Sequence, residues 1–486
     1  MLTLEAIRPE KMKIYHLAAE CYPVAKVGGL ADVVGALPKY QNEAGLHASV
    51  VLPFYDRKFV QESEFDVVFV ASTLLGKKRY EFEIWKERTN KLGFELYLIF
   101  IPGLLDRPEI YSYPDEREQF IAFQLAFLDW INWSQQSPDI IHCHDHHVGL
   151  IPFLMKHSAL YHKRLSKIKT VFTIHNGQYH GAFGYEKFDY LPEVDMRFAG
   201  LLDWNGGINP LACAVKCCDK YTTVSPSYLH ELTVRSNGLE YLFYIEGAKG
   251  QGIINGIDTD VWNPVTDPMI KAPIDALDPE EGKVKNKKAL CARFDLDPEL
   301  PLISFIGRLV VEKGADLLPE AFSRSLRQHA GKVNILMLGA GDQDTADALV
   351  ELKEWFPDNY RTYVGYNEQL AHQVYAGSDF LLMPSRVEPC GLNQLYSLRY
   401  GTVPMVRRTG GLIDTVIDFG EEDGYGICFD QSTADDICYS IDRAVELYQN
   451  IDHVDELRQR MMALDYSWTR SAQQYTQLYE SLTPII

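Results

Sequence analysis

Short apolar runs alternate with helix-period patterns along almost the whole chain. KIYHLAAE reads as a first strand. GLADVVGALPKYQNEAG follows as a helix, with Leu30, Val33, Val34 and Leu37 at helical spacing and Pro38 predicting a bend or break. HASVVLPFY, LYLIFIPG, DIIHCHD and KTVFTIHN read as further buried strands. That alternation predicts an α/β fold with a parallel, doubly wound sheet. A looser stretch rich in Pro and Asp, INGIDTDVWNP through DLDPELP with KVKNKK in its middle, reads as a domain junction and its flanking loop. The alternation then restarts with LISFIGRL, NILMLGAG, RTYVGY, DFLLMPSR and TVPMVRR as candidate strands. At the end of the chain, Trp468, Ala472, Tyr475, Tyr479 and Leu482 share one helical stripe, so this helix must be docked.

A chain of 486 residues is too long for one ordinary core. The pattern gives two domains, over residues 1–258 and 259–465, with residues 466–486 as a helix docking back toward the first. Two similar α/β domains imply a cleft between them, and in such sheets ligands bind beyond the carboxyl ends of the strands.

Composition narrows the class. With 46% hydrophobic and 23% charged residues the chain is ordinary for a globular protein, and no solenoid-type repeat is visible. A net charge of −20 without a basic stripe argues against a nucleic-acid partner. The nine cysteines are scattered without a CxxC pair, which favours reduced thiols and a cytoplasmic setting over disulfides or structural zinc. The N-terminal stretch lacks the apolar core of a signal peptide, and no run of ~18 apolar residues predicts a membrane span.

Five motifs fall at strand ends. Lys26-Val27-Gly28-Gly29, then Asp32, offers backbone N–H groups and a mobile cation to an anion at a helix start; a plain tight turn also explains the glycines. His142-Cys143-His144-Asp145-His146-His147 looks like a metal site, but the dinuclear pattern HxHxDH needs Asp where His146 stands. The alternative is a set of histidines hydrogen-bonded in a cleft. Thr173-Ile174-His175-Asn176 could address sugar hydroxyls or be structural. Gly307-Arg308-Leu309 with Glu312-Lys313-Gly314 could bracket a diphosphate or form a solvated charge pair. Pro384-Ser385-Arg386-Val387-Glu388-Pro389-Cys390-Gly391-Leu392 runs into a helix expected to start at Gly391, with Glu388 as a cap or a grip on sugar hydroxyls. Asp258-Thr259-Asp260 is a DxD, read as loop. Gly339-Ala340-Gly341 lacks the third glycine of a dinucleotide site.

Taken together, KVGGLADVVGALP, HCHDHH, TIHNGQYHG, GRLVVEKGADLL, VGYNEQLAH, PSRVEPCGLNQLYSLRYGTVPMVRRTGGLIDTV and YSWTRSAQQYTQLYESL resemble the blocks, in order, of bacterial glycogen synthases and plant starch synthases. The resemblance covers nearly the whole chain. It implies a GT-B fold of two Rossmann-like domains with the active site between them. It implies retaining glucosyl transfer from a nucleotide-glucose donor to an α-1,4-glucan acceptor, without metal or other cofactor. By position, Lys26, Gly28, Gly29 and Asp32 match one wall of the donor pocket, and Arg308 and Lys313 the diphosphate clamp. Tyr366 matches the residue that stacks on the base. Glu388, Cys390, Gly391 and Leu392 match the sugar-and-phosphate loop. His175, Asn176 and Asp145 match the catalytic floor. ADP-glucose is the implied donor, with UDP-glucose open. Competing readings are a GT-B transferase with a sucrose- or lipid-type acceptor, a metallohydrolase built on HCHDHH, and a silent glucan-binding scaffold.

Overall fold

The computed structural model describes residues 11–134 and 136–483. The first ten residues, on which the signal-peptide reading partly rests, lie outside them. Two compact units emerge. One holds the chain up to Val224, Leu229–Ile253 and the segment from Trp468. The other holds Ser225–Tyr228 and Ile254–Ser467.

The first unit contains β1 (Lys13–Leu17), β2 (His47–Pro53), β3 (Phe65–Leu75), β4 (Lys78–Glu87), β5 (Glu95–Phe100), β6 (Ile140–His144), β7 (Lys169–Ile174), β8 (Asp203–Trp204), β9 (Gly207–Ile208), β10 (Lys220–Thr223) and β11 (Gly250–Gly252). Apart from the small β8–β9 hairpin, they form one sheet in the order β11-β10-β7-β6-β1-β2-β5-β4-β3. The strands from β11 to β5 are parallel. β3 and β4 add an antiparallel ribbon at the edge, with much of β3 exposed. The sequence reading did not mark this ribbon; in β4, KRYEFEIWKE, charged residues are interspersed among the apolar ones as on a solvated surface. After β1 the chain builds outward through β2 and β5, then returns to place β6 on the other side of β1. That reversal is a topological switch point, and Asp145 follows β6 directly.

The second unit contains β12 (Leu302–Leu309), β13 (Asn334–Gly341), β14 (Tyr360–Val364), β15 (Phe380–Met383), β16 (Val403–Arg407) and β17 (Ile427–Phe429), in the order β14-β13-β12-β15-β16-β17, all parallel. Here the switch point lies between β12 and β15, whose ends lead into Arg308 and into the Pro384–Leu392 segment. Gly339 and Gly341 need no nucleotide to explain them. A side chain on either would stand within 2.4 Å of a backbone oxygen of β12.

Three expectations need correction. KVKNKK is not loop. It lies in helix Glu280–Phe294, with Lys283 and Lys287 buried. Lys283 donates to the carbonyls of Tyr375 and Ser378 and to Thr402 Oγ1, while Lys287 pairs with buried Asp379 at 2.7 Å. The run looks solvated in sequence because nothing local shows those acceptors. Of the two outcomes read for Pro38, a bend or a break, the break does not occur: the helix continues over Gly29–Glu43 with Leu37, Pro38, Tyr40 and Gln41 buried. Packing of that face outweighs the ~3 kcal/mol an internal proline costs. Third, the helix after Gly391 starts at Asn393 and runs only to Arg399, because Gly391 sits at φ +77°, outside the helical region.

Helix Trp468–Leu482 completes the core of the first unit. Trp468, Ala472, Tyr475, Leu478 and Tyr479 pack with Ile14, Val33, Leu37, Ile140, Val171 and Ile253.

Candidate active site

In the first unit the candidate residues gather where β6 and β7 end. Asp145 is buried at φ +59° and ψ 176°, a conformation that costs an ordinary residue ~1–3 kcal/mol. What holds it is its own carboxylate: Oδ1 accepts the N–H of His175 at 2.7 Å and that of Asn176 at 3.4 Å. Burial raises its pKa to about 7 despite those bonds. Asp145 thereby fixes the backbone that carries His175 and Asn176.

Behind this turn lies a buried histidine assembly. His175 Nε2 meets His144 Nδ1 at 2.9 Å, and His144 Nε2 meets His16 Nδ1 at 3.0 Å. His16 Nε2 meets Gln41 Oε1 at 2.8 Å. His142 bonds Tyr479 OH at 2.7 Å and Thr173 Oγ1 at 2.6 Å. Burial pushes the pKa of His16 down to about 4 and that of His175 to about 3, with His142 and His144 also far below their usual value. All four rings are therefore neutral at pH 7. His16, His142 and His144 are close enough to share a metal ion. Every ring nitrogen of the three already has a protein partner, however, so metal binding would have to break that network.

The glycine turn after β1 holds a surprise. The N–H groups of Val27 and Gly28, expected to face a ligand anion, both donate to Glu20 Oε2, at 2.6 and 2.8 Å. Glu20 also accepts from Tyr111 at 2.6 Å. The turn is thus charge-loaded by the protein itself. Lys26 pairs with Asp32 at 2.6 Å. A Cβ added at Gly28 or Gly29 would meet nothing within 4 Å, so protein packing does not demand either glycine.

In the second unit the site is charged. Arg308 is exposed at the end of β12, and its guanidinium makes no hydrogen bond with the described residues. The following turn is tied to the β15 loop by Arg386 and Val387 N–H donating to the Glu312 carbonyl, at 2.8 and 3.2 Å. Arg386 also grips Asp316 with both nitrogens, at 2.5 and 2.9 Å. This stapling brings Lys313 Nζ to 2.5 Å from the buried Glu388 carboxylate, to which Ser385 Oγ also donates at 3.0 Å. Gly314, at φ +69°, is required there, since a Cβ would lie 2.3 Å from the Pro384 carbonyl oxygen. Gly410 is required likewise: at φ +46° its Cβ would stand 2.1 Å from the Glu388 carbonyl oxygen. Gly411 N–H donates to that same oxygen at 3.0 Å. Cys390 is buried, and burial pushes its thiol up to about 12, so it is packing and not a nucleophile. Gly391 and Leu392 lead into helix Asn393–Arg399. Tyr366 is 84% exposed on the loop after β14.

Asp258 and Asp260 lie in the loop after Asn255-Gly256. Asp258 Oδ1 accepts the N–H groups of Asp260 and Val261, a turn-stabilising role.

The family model for a starch synthase catalytic domain matches residues 13–244, and that for glycosyl transferases group 1 matches residues 287–463. A glycogen synthase of Flavobacterium johnsoniae is 54% identical over 96% of this chain and 98% of its own. The chain belongs to the glycogen and starch synthase family. Another relative, a glycogen synthase of Geobacillus stearothermophilus, is 37% identical over 97% of this chain and 98% of its own. Among solved structures, the catalytic domain of starch synthase IV from Arabidopsis thaliana, bound to ADP and acarbose, matches with a TM-score of 0.86 and 31% identity over 98% of this chain and 100% of that one. The two Rossmann-like units are those of GT-B glycosyltransferases.

Glu20, Gln41, His16 and Gly410 support candidate site residues and were not singled out from the sequence, while Ser385 and Tyr479 were read only as part of a strand-end motif and of a packed helical stripe. Only the TGG of Thr409-Gly410-Gly411 carried a readable signal, as a glycine pair at a turn.

Proposed function

We propose that this family member transfers glucose from ADP-glucose to the non-reducing 4-OH of an α-1,4-glucan, with retention of configuration. One observation carries the assignment of residues. At the β12–β15 switch point an unpaired exposed guanidinium, Arg308, shares its turn with the Lys313–Glu388 pair. A ligand bearing both a diphosphate and hydroxyls suits that set. Arg308 and Lys313 take the diphosphate, and Glu388, released from Lys313, accepts from glucose hydroxyls. As the glucosyl–phosphate bond breaks, negative charge grows on the leaving phosphate and those two cations stabilise it. The acceptor 4-OH attacks on the same face, and the departing phosphate takes its proton. In the first unit, His175 and Asn176, held by Asp145, contact the transferred glucose. Lys26, Gly28, Gly29 and Asp32 line the donor's other side, with Tyr366 stacking on the base.

The adenine assignment draws support from the ADP bound to the starch synthase IV domain. Among the described residues no helix is long and apolar enough to cross a membrane. We place the protein in the cytoplasm, where its nine free, buried thiols stay reduced.

The test is side-by-side turnover of ADP-glucose and UDP-glucose on a glycogen primer, with and without EDTA. ADP-glucose should be preferred, and EDTA should leave the rate unchanged. A UDP-glucose preference would reverse the donor assignment. Loss of activity in EDTA, restored by magnesium or manganese, would remove Arg308 and Lys313 as the charge-stabilising pair.

A further inference from the structure

The histidine assembly has a direction, and its source is an amide. An imidazole chain alone can run its protons either way. The amide of Gln41, seated with Oε1 toward His16, breaks that symmetry, because Oε1 only accepts and Nε2 only donates. With Oε1 2.8 Å from His16 Nε2, that nitrogen carries the proton and His16 Nδ1 is bare. His16 Nδ1 then accepts from His144 Nε2 at 3.0 Å, which leaves His144 Nδ1 bare. His144 Nδ1 in turn accepts from His175 Nε2 at 2.9 Å. His175 must therefore hold its single proton on Nε2 and present an unprotonated Nδ1. That Nδ1 has no hydrogen bond with the described residues and is not among the fully sequestered polar atoms, so it keeps some exposed surface.

The other end of the amide closes the loop consistently. Gln41 Nε2 donates to Tyr479 OH at 3.1 Å, and Tyr479 donates to His142 Nδ1 at 2.7 Å. His142 Nε2 donates to Thr173 Oγ1 at 2.6 Å, and Thr173 to Thr222 Oγ1 at 2.6 Å. Each donor meets an acceptor and no site is doubly filled. Gln41, His16, His142, His144 and Tyr479 are all fully buried, so water does not scramble the order. The depressed pKa values of the histidines keep each at one proton.

We propose that Gln41 is a positioning residue that sets the tautomer of His175 through His16 and His144, holding a bare Nδ1 as acceptor for a hydroxyl of the transferred glucose. This rests on the reading that His175 contacts that glucose. Gln41 touches no substrate. It acts at a distance of two imidazoles, and without it the chain is free to reverse and place the proton on His175 Nδ1.

The direct test is nitrogen-15 NMR of the histidine-labelled full chain, which has 14 histidines, with His175 identified by its loss in His175→Ala. The wild-type spectrum should show an unprotonated Nδ1 and a protonated Nε2. A protonated Nδ1 in the wild type overturns the proposal whatever any variant does. Gln41→Met keeps the side chain's length but removes both hydrogen bonds. It should convert His175 to mixed tautomers and lower kcat about tenfold, the worth of one hydrogen bond. Gln41→Glu keeps an acceptor on His16, so it should retain the wild-type tautomer and recover most of kcat even though its buried charge lowers the unfolding temperature. Should Gln41→Met leave tautomer and kcat unchanged while His175→Ala is impaired, the positioning role fails and the reading of His175 survives. Should His175→Ala turn over at the wild-type rate, both fail.

Discussion

The candidate residues of the two units have opposite electrostatic characters. In the second unit the proposed clamp is built of charge-bearing side chains: Arg308 is exposed and makes no hydrogen bond with the described residues, and Lys313 pairs with Glu388 at 2.5 Å. In the first unit the Lys26–Asp32 pair lies at the glycine turn, but the histidines behind Asp145 are neutral by burial, and His175 stands at the end of a relay with both His144 nitrogens engaged. A charged clamp suits a diphosphate, whose charge grows during transfer. A neutral acceptor suits a sugar carbon that becomes positive, because a second cation there would oppose it. On the proposed reading, the chemistry at each end of the donor calls for a different kind of residue to meet it.

The charged side breaks most sharply. Arg308→Ala should lower kcat by ~10²–10³ while thermal unfolding stays within ~0.5 kcal/mol of wild type, since its side chain is exposed and unpaired. Lys313→Ala should cost as much in kcat and also lower the unfolding temperature, because buried Glu388 loses its ionic partner. Turnover close to wild type in either protein would take that residue out of the clamp.

Next in size is Gly410→Ala. Its Cβ would meet the Glu388 carbonyl oxygen at 2.1 Å, so the Glu388 loop must shift. Turnover should fall ~10²-fold for a displacement on the ångström scale. Steady-state rates with a thermal melt decide it; a tolerated alanine would show that Glu388's placement is not what this glycine protects.

The neutral side is sharpened by pH. His16 and His175 have folded pKa values of about 4 and 3, below the ~6.5 of an unfolded chain. The unfolded state therefore binds more protons, so stability is full above pH ~6.5 and falls as pH drops toward those values, by ~1.4 kcal/mol per unit for each histidine. Asp145, raised to about 7, works the other way between ~4 and 7 and offsets one histidine. Denaturant midpoints between pH 7 and 4 should decline steeply. A flat profile would mean the assembly is not neutral in the folded protein.

The smallest effect is a control on both sides. Asp260→Ala should leave turnover unchanged, since Asp260 is exposed in a loop whose turn is held by Asp258. A large loss would return the DxD to the account.

The charged half was largely legible in the sequence because its parts lie in two short blocks at strand ends, Gly307–Gly314 and Pro384–Leu392. Strand-end position is itself readable from the apolar runs. The neutral half was legible only at its tip. His175 and Asp145 stood out, but Gln41 and Tyr479 are 438 residues apart in sequence and 3.1 Å apart in space. No local pattern announces such a pair. Lys283 and Lys287 failed for the same reason: their acceptors, from Tyr375 to Thr402, come from elsewhere in the chain. Burial of a polar side chain depends on distant partners, and a one-dimensional reading defaults to solvent.

Helix Trp468–Leu482 fills the first unit's core from the far end of the polypeptide. During synthesis the opening two hundred residues leave the ribosome well before Trp468 and Tyr479 exist. Until then Ile14, Leu37 and Ile140 lack their aromatic cover, and Gln41 and His142 lack the phenol that joins them. The early unit must wait, incompletely closed, until Trp468–Leu482 has been made, and a product cut off before that helix carries a raw apolar flank for chaperones or proteases to find.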